Sequence, residues 1–257
     1  MCFELDSVPP IPPISGGAPV RSEDLVLESA DGTEVAAFLA LPDGGARVGI
    51  VVLPDVRGLY RFYEVLALRF AERGFGALAF DYFGRTAGAA KRDDDFPYMD
   101  HVAQTTPEGI QQDVRAAVDH LRSPDGGGCD VVFAVGFCFG GRNAWLAAAG
   151  GHGLAGAIGF YGSTVERNGA PGPTQRAAEF EAPILALQAG DDANILPEHN
   201  AAFEEALAAA GVEHELVVYD GAPHSFFDRR FEEYAAQSAD AWERVLAFVE
   251  RYTPAAA

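Results

Sequence analysis

The segment Val131-Val132-Phe133-Ala134-Val135-Gly136-Phe137-Cys138-Phe139-Gly140-Gly141 runs from an unbroken apolar stretch straight into the pattern G-x-C-x-G-G. An apolar run without alternation suits a strand buried on both faces, as in a parallel sheet. The glycine-rich turn behind it has the form of a nucleophile elbow, in which a strand hands a reactive side chain to the start of a helix. The residue at the apex of such a turn takes up a strained backbone, and side chains two positions to either side would collide. Glycine at 136 and at 140 removes those collisions. The turn aims the Phe139 N–H beside the Cys138 sulfur, and the helix start behind it favours negative charge there. Both features suit a thiolate and an oxyanion hole. The competing reading is a buried packing cysteine, since Cys is among the most buried residue types. The glycine spacing does not form the G-x-G-x-x-G of a dinucleotide loop.

On either side of this segment, strand-like and helix-like patterns alternate. Leu25–Glu28 and Glu34–Leu41 flank the turn dipeptide Asp31-Gly32 and read as an antiparallel hairpin. Val48–Leu53 reads as a buried strand, Arg61–Arg73 as a helix ended by Gly74, and Gly76–Phe80 as the next strand. Residues 84–107 are polar and read as a long excursion at the edge of a site. Glu108–Arg122 is helical. After the Cys138 turn come a helix to about Ala149, strand Gly156–Tyr161, strand Ile184–Ala189, helix Pro197–Ala210, strand Glu215–Tyr219 and a closing helix over about Glu232–Tyr252. This order predicts an α/β fold with a mostly parallel central sheet and helices on both faces. Binding chemistry belongs at the carboxyl ends of its strands. Residues 1–23, rich in Pro and Gly, read as an N-terminal arm, and 24–257 as a single domain.

Composition narrows the partners. The 257 residues carry 18 basic and 38 acidic side chains, a net charge of −20, which repels nucleic acid and anionic membranes. No apolar run is long enough for a transmembrane helix, and the start lacks the pattern of a secretory signal, so a cytoplasmic protein is expected. Cys2, Cys129 and Cys138 are too few and too irregularly spaced for a disulfide framework or a zinc site. No cofactor or metal is implied, and the oligomeric state stays open. The partner is expected to be a small molecule.

An attacking thiol needs a proton carrier, and histidine serves near neutral pH. His224 lies in Tyr219-Asp220-Gly221-Ala222-Pro223-His224-Ser225-Phe226, past the last strand-like run. His101, His120, His152, His199 and His214 fall on helices or polar loops and read as solvated. An orienting carboxylate should follow Ile184–Ala189, where Asp191 and Asp192 both stand; Asp192 is preferred. The chain order Cys138, Asp192, His224 is that of α/β-hydrolases, unlike the chymotrypsin, subtilisin or papain orders.

Through GFCFGG, GDDANI, GAPHSFF and FDYFGR, the chain resembles the dienelactone hydrolase (carboxymethylenebutenolidase) family over roughly residues 24 to 252. The resemblance implies an α/β-hydrolase fold, with Cys138 as nucleophile, His224 as base and Asp192 as its acid. It also implies a thiol-contacting carboxylate at Asp55, where the family has glutamate, and a second oxyanion donor, the Val56 N–H, beside Phe139. Arg85, with Tyr82 in the same segment, would meet a substrate carboxylate. A second family arginine lies four residues past the histidine; here that position is Asp228, with Arg229 next.

The expected activity is therefore opening of a small activated ester or lactone through a cysteine thioester, most like a dienelactone. A generalist small-molecule carboxylesterase is the alternative. A thiol redox sensor on the same fold would need a resolving cysteine, and none lies close to Cys138 in sequence.

Overall fold

The computed structural model describes residues 8–14, 16–93, 95–228 and 230–255, and the chain divides between Val132 and Phe133 into two compact units. Cys2 and Arg229 lie outside the described residues. In the first unit, Gly32, with φ 79°, turns the chain between β1 (Val20–Glu28) and β2 (Glu34–Pro42). The two strands pair antiparallel from Glu28↔Glu34 to Val20↔Pro42. Then follow β3 (Val48–Leu53), α1 (Arg61–Glu72), β4 (Gly76–Phe80), the short α2 (Gly84–Ala87) and α3 (Tyr98–Val102), and α4 (Pro107–Arg122). The strands lie in the order β1-β2-β4-β3. β2 meets β4 antiparallel, and β3 meets β4 parallel. α1 buries Phe62, Leu66 and Phe70 against β2 and β4. α4 is capped by Thr106, whose hydroxyl accepts the Gly109 N–H at 3.1 Å.

β1 begins at Val20, inside the segment read as an arm. Pairing continues backwards for as long as β2 offers a partner, which outweighs the weak propensity of the sequence. Ahead of it, the Ile14 and Ala18 amides donate to the Glu72 carboxylate at 3.1 Å and its carbonyl at 3.2 Å, fastening this stretch to the end of α1.

The boundary falls within β5 (Val131–Phe137); the second unit continues with α5 (Phe139–Ala147), β6 (Gly156–Phe160), the short α6 (Pro173–Arg176), β7 (Ile184–Asp191), α7 (Pro197–Ala209), β8 (His214–Pro223) and α8 (Ala235–Tyr252). Its strands are parallel throughout and lie in sequence order. Trp145 on α5 packs with Ile184, Phe203 and Leu207 in one buried cluster. Gly159 leaves the space that the Trp145 ring fills; a Cβ there would collide with it. The fold is α/β, mostly parallel, with helices on both faces. No helix among the described residues is long and apolar enough to cross a membrane.

Candidate active site

Cys138 sits between β5 and α5 with φ 55° and ψ −111°, a conformation that costs a side-chain-bearing residue on the order of 1–3 kcal/mol. Two backbone bonds hold it there. Its N–H donates to the Phe160 carbonyl at 3.0 Å, and its carbonyl accepts the Arg142 N–H at 3.2 Å. A Cβ on Gly136 would collide with the Gly140 carbonyl oxygen, and one on Gly141 would stand 2.6 Å from the Phe160 carbonyl oxygen. Glycine is thus required by close approach of backbone to backbone. Cys138 is half-buried and its thiol is free. Phe139 opens α5, so its N–H belongs to the positive end of that helix. Cys129 is a different case: it is buried, and burial pushes its thiol up to about 11.

The other two groups are brought together by an irregularity in the sheet. β7 and β8 pair regularly up to Ala189↔Tyr219, then shift register so that Asp191 stands opposite Pro223. Gly190 lies within the shift, where a Cβ would come within 2.6 Å of the Tyr219 carbonyl oxygen. The residues immediately beyond that last pair are Asp192 and His224. Asp192 is buried; its Oδ1 accepts the Asn194 and Ile195 amides at 2.8 and 3.3 Å, and its Oδ2 meets His224 Nδ1 at 2.6 Å. Asp191 is exposed and points to no such role. β8 therefore runs four residues beyond its expected end at Tyr219, because the bulge lets pairing resume.

Burial works against charge at both groups, and the partners overcome it. Hydrogen bonds from His224 and the two amides hold the Asp192 carboxyl below its usual range. The Asp192 carboxylate and a hydrogen bond and charge from Cys138 raise His224 to about 10. With Nδ1 taken by Asp192, the nitrogen left for Cys138 is Nε2. A histidine raised above its ordinary 6.5 contributes stability that is complete below 6.5 and is lost as pH rises through about 10. The unfolding free energy of wild type minus that of His224→Gln should accordingly shrink between pH 6.5 and 10; a difference that grows there contradicts a charged His224.

An aromatic layer lies under these groups. Phe137, next to Cys138, stacks on Phe160 at 4.6 Å, and Phe160 packs on Phe227 at 4.8 Å. Tyr161 lies 5.0 Å from the His224 ring and donates its hydroxyl to Asp228 Oδ2 at 2.9 Å. Sequence reading missed Tyr161, whose one signal was its place at the end of a strand.

The remaining sequence candidates belong to the first unit. Asp55 is fully buried, and its Oδ1 accepts the Arg57 N–H at 2.8 Å. Val56, half-buried, lies in the turn after β3. Tyr82 is buried and donates its hydroxyl to the Pro54 carbonyl at 2.7 Å, bracing that turn. Arg85, expected to meet a substrate carboxylate, spends its guanidinium on protein: Asp31 at 2.8 and 3.2 Å, Asp113 at 2.8 and 2.9 Å and Gln112 at 3.2 Å. Asp81, which sequence reading passed over, accepts the Leu59 and Phe83 amides at 3.1 and 2.7 Å and pairs with Arg92 at 2.8 Å. Of the other histidines, all read as solvated, His152 is instead buried, and His101, half-buried, stacks on Phe96 at 4.6 Å and bonds Thr86 at 2.8 Å. His120, His199 and His214 are half-buried. Among the described residues, no group of three or more His, Cys, Asp or Glu side chains is arranged to hold a metal ion.

Known proteins share this architecture. The model of the dienelactone hydrolase family matches residues 35–253. A Yersinia pestis protein provisionally named carboxymethylenebutenolidase is 30% identical over 226 residues, 84% of each chain. The carboxymethylenebutenolidase of Rhodococcus opacus is 30% identical over 273 residues, covering 98% of this chain and 97% of its own. A crystal structure from Klebsiella pneumoniae, provisionally named a dienelactone hydrolase, superposes with a TM-score of 0.80 at 27% identity, over 91% of this chain and 100% of that one. Matched over nearly its whole length, the chain belongs to the dienelactone hydrolase family of α/β-hydrolases and is a hydrolase.

Proposed function

We propose that the chain opens small activated esters or lactones with Cys138 as nucleophile. The observation that carries this reading is the strained Cys138 at the end of β5 together with His224, which Cys138 helps to raise and which a buried Asp192 holds by Nδ1 at 2.6 Å. In the resting enzyme His224 is protonated, and its Nε2–H faces the Cys138 sulfur. Sγ bonds the acyl carbon while the carbonyl electron pair moves to oxygen, which the Phe139 N–H stabilises. Collapse expels the alkoxide or enolate, which takes the Nε2 proton. Neutral His224 then removes a proton from water, whose oxygen attacks the thioester. Loss of the thiolate leaves the acid and restores the resting pair. Asp192 fixes the tautomer throughout. Enolates leave with little protonation, so enol lactones suit a thiol better than amides do.

Quenching the enzyme during turnover of p-nitrophenyl acetate should leave an acetyl group on Cys138, released by hydroxylamine and visible by mass. An acetyl group on another residue sinks the assignment.

Neutral substrates are a second reading, favoured by two observations. Arg85 is engaged by two carboxylates, and Asp228 stands where the family pattern has an arginine. In this reading Arg85→Ala acts through folding. It strips the fully buried Asp113 of its ion pair, at a cost of about 3–5 kcal/mol. Total activity on a dienelactone and on p-nitrophenyl acetate should then fall equally, with activity per folded molecule unchanged on both. A loss confined to the dienelactone restores Arg85 as a carboxylate-binding residue.

A further inference from the structure

We propose that Tyr161 and Asp228 form a positioning pair that holds the His224 ring in line between Cys138 and Asp192, an inference that rests on His224 as the proton carrier. Tyr161 directly follows β6 and has φ 36°, in the left-handed region where a bulky residue is seldom found. Such a conformation persists only where its surroundings impose it. Here the Tyr161 N–H donates to the Leu187 carbonyl at 2.8 Å, and the ring packs edge-on against Phe226 at 5.6 Å as well as beside His224. Tyr161 is fully buried, so its hydroxyl must find an acceptor inside the protein. That acceptor is Asp228, itself 2% exposed.

Asp228 belongs to the turn that begins at His224. Its N–H donates to the Ser225 carbonyl at 3.3 Å, and Ser225 has φ 64°, so the chain folds back on itself just past the histidine. The Tyr161 hydroxyl fastens this turn to the end of β6. The residue before Tyr161 is Phe160, whose carbonyl accepts the Cys138 N–H. One strand end therefore holds the backbone of the thiol and, through the phenol, the turn that carries the imidazole. Asp192 fixes the Nδ1 edge of the ring; the Tyr161 face limits its tilt, which sets where Nε2 points. A displacement of about 1 Å at such a group costs up to about 100-fold in rate.

The test measures kcat and KM for p-nitrophenyl acetate in the full chain carrying Tyr161→Phe, Asp228→Asn, Asp228→Leu, or Tyr161→Phe with Asp228→Leu. Tyr161→Phe removes one oxygen from a packed ring and should fold. Its kcat should fall about ten-fold or more, with KM within about two-fold. Asp228→Asn keeps an oxygen that can accept the phenol proton and should stay within about three-fold of wild type. The double variant should be no slower than Asp228→Leu, because both changes break one bond. A Tyr161→Phe kcat within two-fold of wild type, additive losses in the double variant, or Asp228→Asn as slow as Asp228→Leu would each overturn the pair. His224→Gln, measured alongside, separates the two ideas. An inactive His224→Gln beside an unimpaired Tyr161→Phe removes the pair alone, and activity retained in both removes the His224 reading with it.

Discussion

Replacing Cys138 with alanine is expected to lower kcat/KM for p-nitrophenyl acetate by on the order of 10⁴-fold or more, equivalent to about 5.4 kcal/mol of transition-state stabilisation. The size follows from the loss of covalent catalysis as a whole. Without sulfur, His224 and Asp192 can still polarise a water, and the Phe139 amide can still receive an oxyanion, but no thioester forms. The fold should be unharmed, because alanine can occupy the same strained apex and leaves only a small, half-open space. Cys138→Ser is the more informative companion. A serine oxygen would sit on the same backbone, yet His224 owes part of its raised pKa to Cys138, and an alkoxide is far harder to generate than a thiolate. Serine should therefore recover only a small part of the loss. Alanine activity within ten-fold of wild type, measured on protein free of contaminating esterase, ends the nucleophile assignment.

These expectations could be framed from sequence because the elbow is local. Strand, glycine, thiol, glycine and helix are contiguous in the chain, and the steric demand that selects glycine at 136 acts over a few residues. Strand ends were legible for a similar reason, since each follows directly from an apolar run. That rule brought His224 and Asp192 forward, although not the bulge at Gly190 that makes them neighbours. What stayed hidden was long-range. Arg85 reaches Asp31 and Asp113, 54 and 28 residues away, and an arginine in a loop reads the same whether its partner is a substrate or a buried carboxylate. The Tyr161–Asp228 bond spans 67 residues and depends on a positive φ at tyrosine, which no propensity signals. His152, read as solvated, failed on the same count: its burial is decided by packing partners that the local pattern does not name.

Gly136→Ala should be the most damaging single-methyl addition at this site, costing more than about 3 kcal/mol of stability. Gly136 is not among the glycines with positive φ, so its need for glycine is spatial. The new Cβ would run into the carbonyl oxygen of Gly140 and lie 2.8 Å from the Gly141 nitrogen. Both are backbone atoms of the first turn of α5, and unlike the tip of a flexible side chain they cannot swing aside. Relief requires either the end of β5 or the start of α5 to move, and Cys138 is the residue between them. Gly211→Ala is the natural control. Gly211 follows α7 with φ 68° and open space where a Cβ would stand, so alanine there meets only the left-handed penalty of about 1–2 kcal/mol. Urea denaturation of the two variants should separate them clearly, and the Gly136→Ala protein that does fold should alkylate at Cys138 at an altered rate. Equal midpoints for the two variants would mean that the turn at Cys138 is slacker than its contacts require, and the strained apex could no longer be invoked to aim the thiol at His224.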